Sequence, residues 1–136
     1  METFNFKMFE QGPVERTTER MHVTIDQRCR IFFNRVAHEA LGRPAGVALM
    51  FDEIKQAIGV LPSDTSKKET YRLRSIDRRS GGKAIAALNF CRACSITPKE
   101  TFAFQNPRIN HDGVLILSLH HVQTVTRRGW TRSKKK

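Results

Sequence analysis

The chain has 136 residues, enough for one domain with a real core. Lys and Arg number 24 against 13 Asp and Glu, a formal net charge of +11, and apolar residues make up 39%. No apolar run approaches the roughly 18 residues of a spanning helix. The charge points instead to phosphate backbones, acidic surfaces or an acidic partner.

Residues 1–20 read as an arm. Phe4, Phe6 and Met8 alternate with Asn5 and Lys7 until Gly12-Pro13 breaks the pattern, and no charged-then-apolar leader is seen. Met21–Ile25 predicts a strand with Val23 and Ile25 on one face. Asp26–Cys29 is a turn, and Arg30–Phe33 is a second short strand. Asn34 suits a helix N-cap, because its side-chain oxygen can accept from the first free amides. Val36, Ala37, Ala40 and Leu41 line one helical face, and Gly42 and Pro44 stop the helix. Val47–Phe51 and Gln56–Leu61 predict a hairpin. Pro62–Lys68 is the best linker in the chain.

Tyr71–Ile76 predicts the next strand, and Asp77–Gly82 a turn longer than the first. A helix over Ala87–Ile96 puts Ala87, Leu88, Cys91 and Cys94 on its buried stripe. Thr101–Gln105 and Val114–Leu119 predict a second hairpin around Asn106–Gly113, whose Pro and Asp-Gly suit a turn. His120–Thr126 extends the last strand. Arg127–Lys136 holds six positive charges and no negative one, which predicts a basic tail.

The order of elements recurs. Ile25-Asp26-Gln27-Arg28 returns as Ile76-Asp77-Arg78-Arg79, followed each time by a basic position (Arg30, Lys83), a helix and apolar strands. One strand–turn–helix–hairpin unit cannot bury its own apolar face, whereas two can bury theirs against each other. The expected class is therefore α+β, mainly β. It comprises an arm (1–20), a single barrel domain (21–126, half-units 21–66 and 71–126) and the tail (127–136).

Arg28, Arg30, Arg35, Arg78, Arg79 and Lys83 sit on or beside the repeated turns. Guanidinium forks suit phosphates and the edges of guanine. In the tail, Arg127, Arg128 and Arg132 could track a backbone, with Trp130 stacking on a base. The plain alternative is a solvated basic surface, with Arg30 held by Asp26. Cys91-Arg92-Ala93-Cys94 has zinc-knuckle spacing, yet both thiols fall on the apolar stripe, so they read as core residues and no metal is expected. An odd cysteine count favours a reducing compartment. No Ser/His/Asp set, phosphate loop or paired carboxylates appear, so neither an enzyme nor a cofactor is expected.

Ile25–Pro62 resembles one AbrB-type (SpoVT/AbrB, swapped-hairpin) unit. The resemblance rests on Ile25-Asp26-Gln27-Arg28-Cys29-Arg30-Ile31, then Ala40-Leu41-Gly42, then Val47–Leu61 and Pro62. Asp26 and Arg30 also match the Asp-x-x-x-Arg signature of MraZ-like proteins. Those carry two such units in one chain, which extends the similarity over residues 21–119. The family's turn Gly is Cys29 here, and its helix-opening Pro is Asn34. The resemblance implies a swapped-hairpin barrel that binds DNA as a transcription regulator or antitoxin.

The expected partner is thus nucleic acid, DNA favoured over RNA. Two other readings stand beside it. One is an RNA- or ribosome-associated basic protein that grips A-form RNA by shape and phosphates. The other is an antitoxin or phage-type inhibitor binding an acidic protein partner, with Phe4, Phe6 and Phe9 as a docking arm. A homo-oligomer and a cytoplasmic location, nucleoid-associated in a bacterium, go with these readings, and membrane binding does not.

Overall fold

The computed structural model describes residues 20–125, and its two halves begin alike. In the first turn Asp26 Oδ1 accepts from the N–H groups of Arg28 and Arg30, at 2.9 Å each, and Cys29 N–H donates to Asp26 O at 3.0 Å. In the second, Asp77 Oδ1 accepts from Arg79 N–H at 2.9 Å, and Gly81 N–H donates to Asp77 O at 3.1 Å. Such short-range acceptance is why Asp suits a turn. Both turns end on a left-handed residue, Cys29 (φ 61°) and Gly81 (φ 74°). Only glycine does this without steric cost.

The turns join strands β1 (Val23–Ile25) to β2 (Arg30–Phe33), and β6 (Arg74–Asp77) to β7 (Gly82–Ala86). Each second strand leads into a short helix, α1 (Arg35–Ala40) or α2 (Leu88–Ala93). The helices end with matching bonds. The N–H groups of Leu41, Gly42 and Arg43 donate to the carbonyls of Ala37, Glu39 and His38. Those of Cys94, Ser95 and Ile96 donate to Phe90, Arg92 and Cys91. The starts differ. Asn34 Oδ1 accepts from Ala37 N–H at 2.9 Å, the expected cap, and also from His22 N–H at 3.1 Å. Ala87, at the equivalent place, offers no side-chain cap. Asn34→Ala leaves two N–H donors, those of Ala37 and His22, without their acceptor and should cost about 1–2 kcal/mol, read as a lower urea midpoint at unchanged slope. An unchanged midpoint would show that water replaces the cap.

The remaining strands are β3 (Gly46–Asp52), β4 (Ala57–Pro62), β5 (Tyr71–Arg72), β8 (Phe102–Phe104), β9 (Arg108–Ile109), β10 (Leu115–Ser118) and β11 (Val122–Thr124). They form two antiparallel sheets, β11-β8-β1-β2-β7-β6 and β5-β3-β4-β10-β9. The halves exchange strands. After its helix, each half sends a strand to the first strand of the other: β8 pairs with β1, and β3 pairs with β5.

Two expectations need correction. The second hairpin is not Thr101–Gln105 with Val114–Leu119. β8 pairs instead with β11, Val122 opposite Phe104, so the segment read as an extension is the true partner. Between them β9 and β10 form their own small hairpin. Asn110 Oδ1 accepts from Asp112 and Val114 N–H, and Gly113 takes φ 81°, so a tight local turn competes successfully for β10. Nor do the ladders close into a barrel. β10 occupies the free side of β4, and the two sheets stay open, with β11 and β6 as the edges of one and β5 and β9 as the edges of the other among the described residues. The arm up to residue 19 and the tail from residue 126, including Arg127, Arg128 and Arg132, lie outside the described residues.

One core lies between the sheets. Val23, Ile25, Ile31, Phe33 and Ile85 from one sheet meet Val47, Ile58, Val60, Leu115 and Leu117 from the other. Leu88, expected on the buried stripe of its helix, is 41% exposed, because Ala87 and Cys91 take the inward positions.

His22 gives the fold a pH dependence. Burial first, then the Arg20 charge, holds its imidazole below the ordinary 6.5. The unfolded chain therefore takes up a proton that the native state resists. Stability should be full above pH 6.5 and fall as pH drops below it. Glu39 and Asp64, both held low, act only below their ordinary 4.5 and 3.8, outside this window. Urea midpoints at about pH 7.5 and 5.5 should differ in the wild type and converge in His22→Asn; equal wild-type midpoints would contradict this.

Candidate nucleic-acid interface

The ladder between β2 and β7 places the two turns. Arg30 stands opposite Ala86 and Phe33 opposite Lys83, so the strands run antiparallel and the turns lie at opposite ends of one sheet. About 10 Å of ladder separates its first and last pairs, at about 3.3 Å per residue. Each turn leans on the other half. Gln27 Nε2 donates to Lys99 O at 2.7 Å, and Ala87 N–H donates to Cys29 O at 3.0 Å. A Cβ on Gly81 would lie 3.0–3.2 Å from the Arg35 stem, so Arg35 lies across the second turn.

Alternation fixes what the sheet shows to solvent. Ile31, Phe33 and Ile85 point inward, which turns Arg30, Phe32, Ala84 and Ala86 outward. Register extends the row through Thr24, which is itself buried, and Ala103 on one side and exposed Arg74 on the other. None of β8, β1, β2 and β7 contains an acidic residue, and the acid at the end of β1, Asp26, is paired with Arg30. Arg74 was not among the expected site residues. Its alternation with Ser75 was readable, but the strand to which it pairs was not.

The expected residues divide into three states. Arg28, Arg78 and Arg79 are exposed and have no ion-pair partner among the described residues. Arg30 is committed: its Nε and Nη2 reach Asp26 Oδ2 at 2.9 and 2.8 Å, and its guanidinium lies 5.4 Å from the Phe32 ring centroid. Arg35 donates to both Glu39 oxygens at 3.1 and 3.2 Å, and Arg43 joins them at 3.0 Å. The Arg35 hydrogen bond is the main reason that Glu39 is held below the usual carboxylate range. Lys83 Nζ donates to Ser75 Oγ at 2.8 Å. The free cations therefore sit on the turns and the committed ones on the strand and helix that hold them.

Cys29 of the first turn hydrogen-bonds Cys91, and all three cysteines are free thiols. Burial, then its hydrogen bond with Cys29, pushes Cys91 up to about 12, and burial also raises the half-buried Cys94. Both therefore stay protonated at neutral pH, when only a thiolate would be nucleophilic. Among the described residues no group of three His, Cys, Asp or Glu could hold a metal ion, and no helix is long and apolar enough to cross a membrane.

The chain matches no protein-family model, no curated protein and no solved structure.

Proposed function

We propose that this chain binds double-stranded DNA as a regulator of transcription, gripping it with the two Asp-anchored arginine turns. The observation that carries this is the pairing of turns. Two loops of one design, bearing Arg28 on one and Arg78 and Arg79 on the other, none with an ion-pair partner among the described residues, cap opposite ends of a sheet whose strands β8, β1, β2 and β7 carry no acidic residue. Duplex DNA has local twofold axes, so a protein with matched halves can set both loops on successive stretches of groove. Arg28, Arg78 and Arg79 are the phosphate- and base-seeking groups. Arg30, Arg35 and Lys83 hold the turns in shape and add charge. The tail arginines Arg127, Arg128 and Arg132 add a sequence-independent term.

The same reading takes the halves for two AbrB-type units, and the barrel implied by that resemblance for an arrangement opened here by the β9–β10 insertion. Its support is the exchange of strands between halves, together with the Asp26–Arg30 pair.

The experiment is direct titration, at two salt concentrations, on a duplex and on a structured RNA, after purification without nuclease. Duplex binding that weakens with salt is the expected result. Preference for RNA at both salts would move the function to RNA. Binding to neither would turn the basic surface toward an acidic protein.

A further inference from the structure

The solvent face of the second sheet carries a groove unrelated to the arginine turns. Met50 stands opposite Gly59, Gly59 opposite Ile116, and Ile116 opposite Arg108, one row across four strands. Gly59 creates the hollow. Its φ is not left-handed, so the backbone does not require glycine there, and glycine inside a strand is otherwise a loss. With no side chain at its centre the sheet is bare, and Met50 and Val114 lean in from either side, at 3.3 and 3.1 Å from where a Cβ would be. The resulting groove holds about 450 Å³, within the roughly 300–1,000 Å³ of small-ligand sites.

The rim decides the charge of the occupant. Asp52 Oδ1 accepts from Ile54 and Lys55 N–H, Asn110 Oδ1 closes its own turn, and Ser118 Oγ pairs with His121 Nδ1 at 3.1 Å. Lys55 and Arg108 also line the groove, and neither side chain has a hydrogen-bond or ion-pair partner among the described residues. The polar groups already satisfied carry the lone acid, and the two without partners are both cations.

We infer that this groove binds a small amphipathic organic anion, its apolar body over Gly59 and Ile116 and its acidic head on Arg108, with Lys55 adding positive charge at the rim. An apolar floor gives non-directional attraction, and a guanidinium fork gives a carboxylate its orientation.

Calorimetric titration with decanoate and with the neutral decanol tests this. Decanoate should bind once per chain and more tightly than decanol. Arg108→Gln should weaken decanoate about tenfold, the effect of one charged hydrogen bond, and leave decanol unchanged. Ile116→Glu, a carboxylate on the floor, should abolish both. Should that variant fail to fold, Met50→Glu, at a position 42% exposed, replaces it. Arg79→Gln should change neither ligand, which separates the groove from general attraction to a basic protein. Equal affinity for the two ligands, no binding, or binding indifferent to Ile116→Glu would each overturn the inference. So would a dimer in solution that Ile116→Glu dissociates, since the groove would then be a seam between copies.

Discussion

Arg28→Glu together with Arg79→Glu should lower duplex affinity about 100-fold or more at near-physiological salt. The figure assumes one charged hydrogen bond to phosphate at each turn, about 1.5 kcal/mol apiece. Lys135→Glu with Lys136→Glu should cost much less, because contacts made by screened charges fade within about 8 Å at that salt. The two pairs differ in kind. Arg28 and Arg79 stand on loops whose backbones are fixed by Asp26 and Asp77, so little ordering entropy is lost on binding. Neutralising the pair to Gln should also reduce the slope of log affinity against log salt by about 2. Single reversals are informative. If both turns engage one duplex, each should weaken binding, since each turn lies at its own end of the sheet. A double mutant that binds like the wild type would rule out the turns as the site.

Ile31→Ala and Ile85→Ala should each destabilise the protein by about 3 kcal/mol, and together should leave it at or near its unfolding limit. The two side chains are directly opposed across the β2–β7 ladder, and neither is more than 1% exposed. Removing a buried isoleucine costs about 2–5 kcal/mol, against a total stability of about 5–15 kcal/mol for such domains. Because the two cavities would merge, the costs should not add, and a double-mutant cycle should show coupling above about 0.5 kcal/mol. Ile54→Ala is the control, at a position 94% exposed, and should change stability by no more than about 0.5 kcal/mol. Urea unfolding measures all four. Strict additivity would mean that the halves do not share one core layer at β2 and β7.

The two turns and the cap on α1 could be read from the chain because they are short-range. Asp26 and Asp77 bond amides two to four positions on, and Asn34 bonds one three positions on, so a residue type and an offset suffice. The repeat was legible for the same reason. Even the pairing of Arg30 with Asp26, offered as the plain alternative to a phosphate contact, is a spacing of four.

What a strand pairs with was not legible. Thr101–Gln105 carries the alternation of a hairpin strand, but alternation says only that one face is buried. It does not say which neighbour supplies the hydrogen bonds. Two segments could have satisfied β8. The Asn110–Gly113 turn drew Val114–Leu119 into the small hairpin with β9, and β11 was left to pair with β8. Arg74 in the outward row and the groove over Gly59 arise the same way, since each depends on three or more strands being laid side by side. By itself, then, the sequence determined most of the strands, though not β9 within the segment read as a loop, together with the turns, the cap and the charge, whose causes lie within a few residues. The tertiary structure alone decided which strands are neighbours, and hence that the arginine turns cap opposite ends of one sheet, because that choice rests on burial shared between halves far apart in the chain.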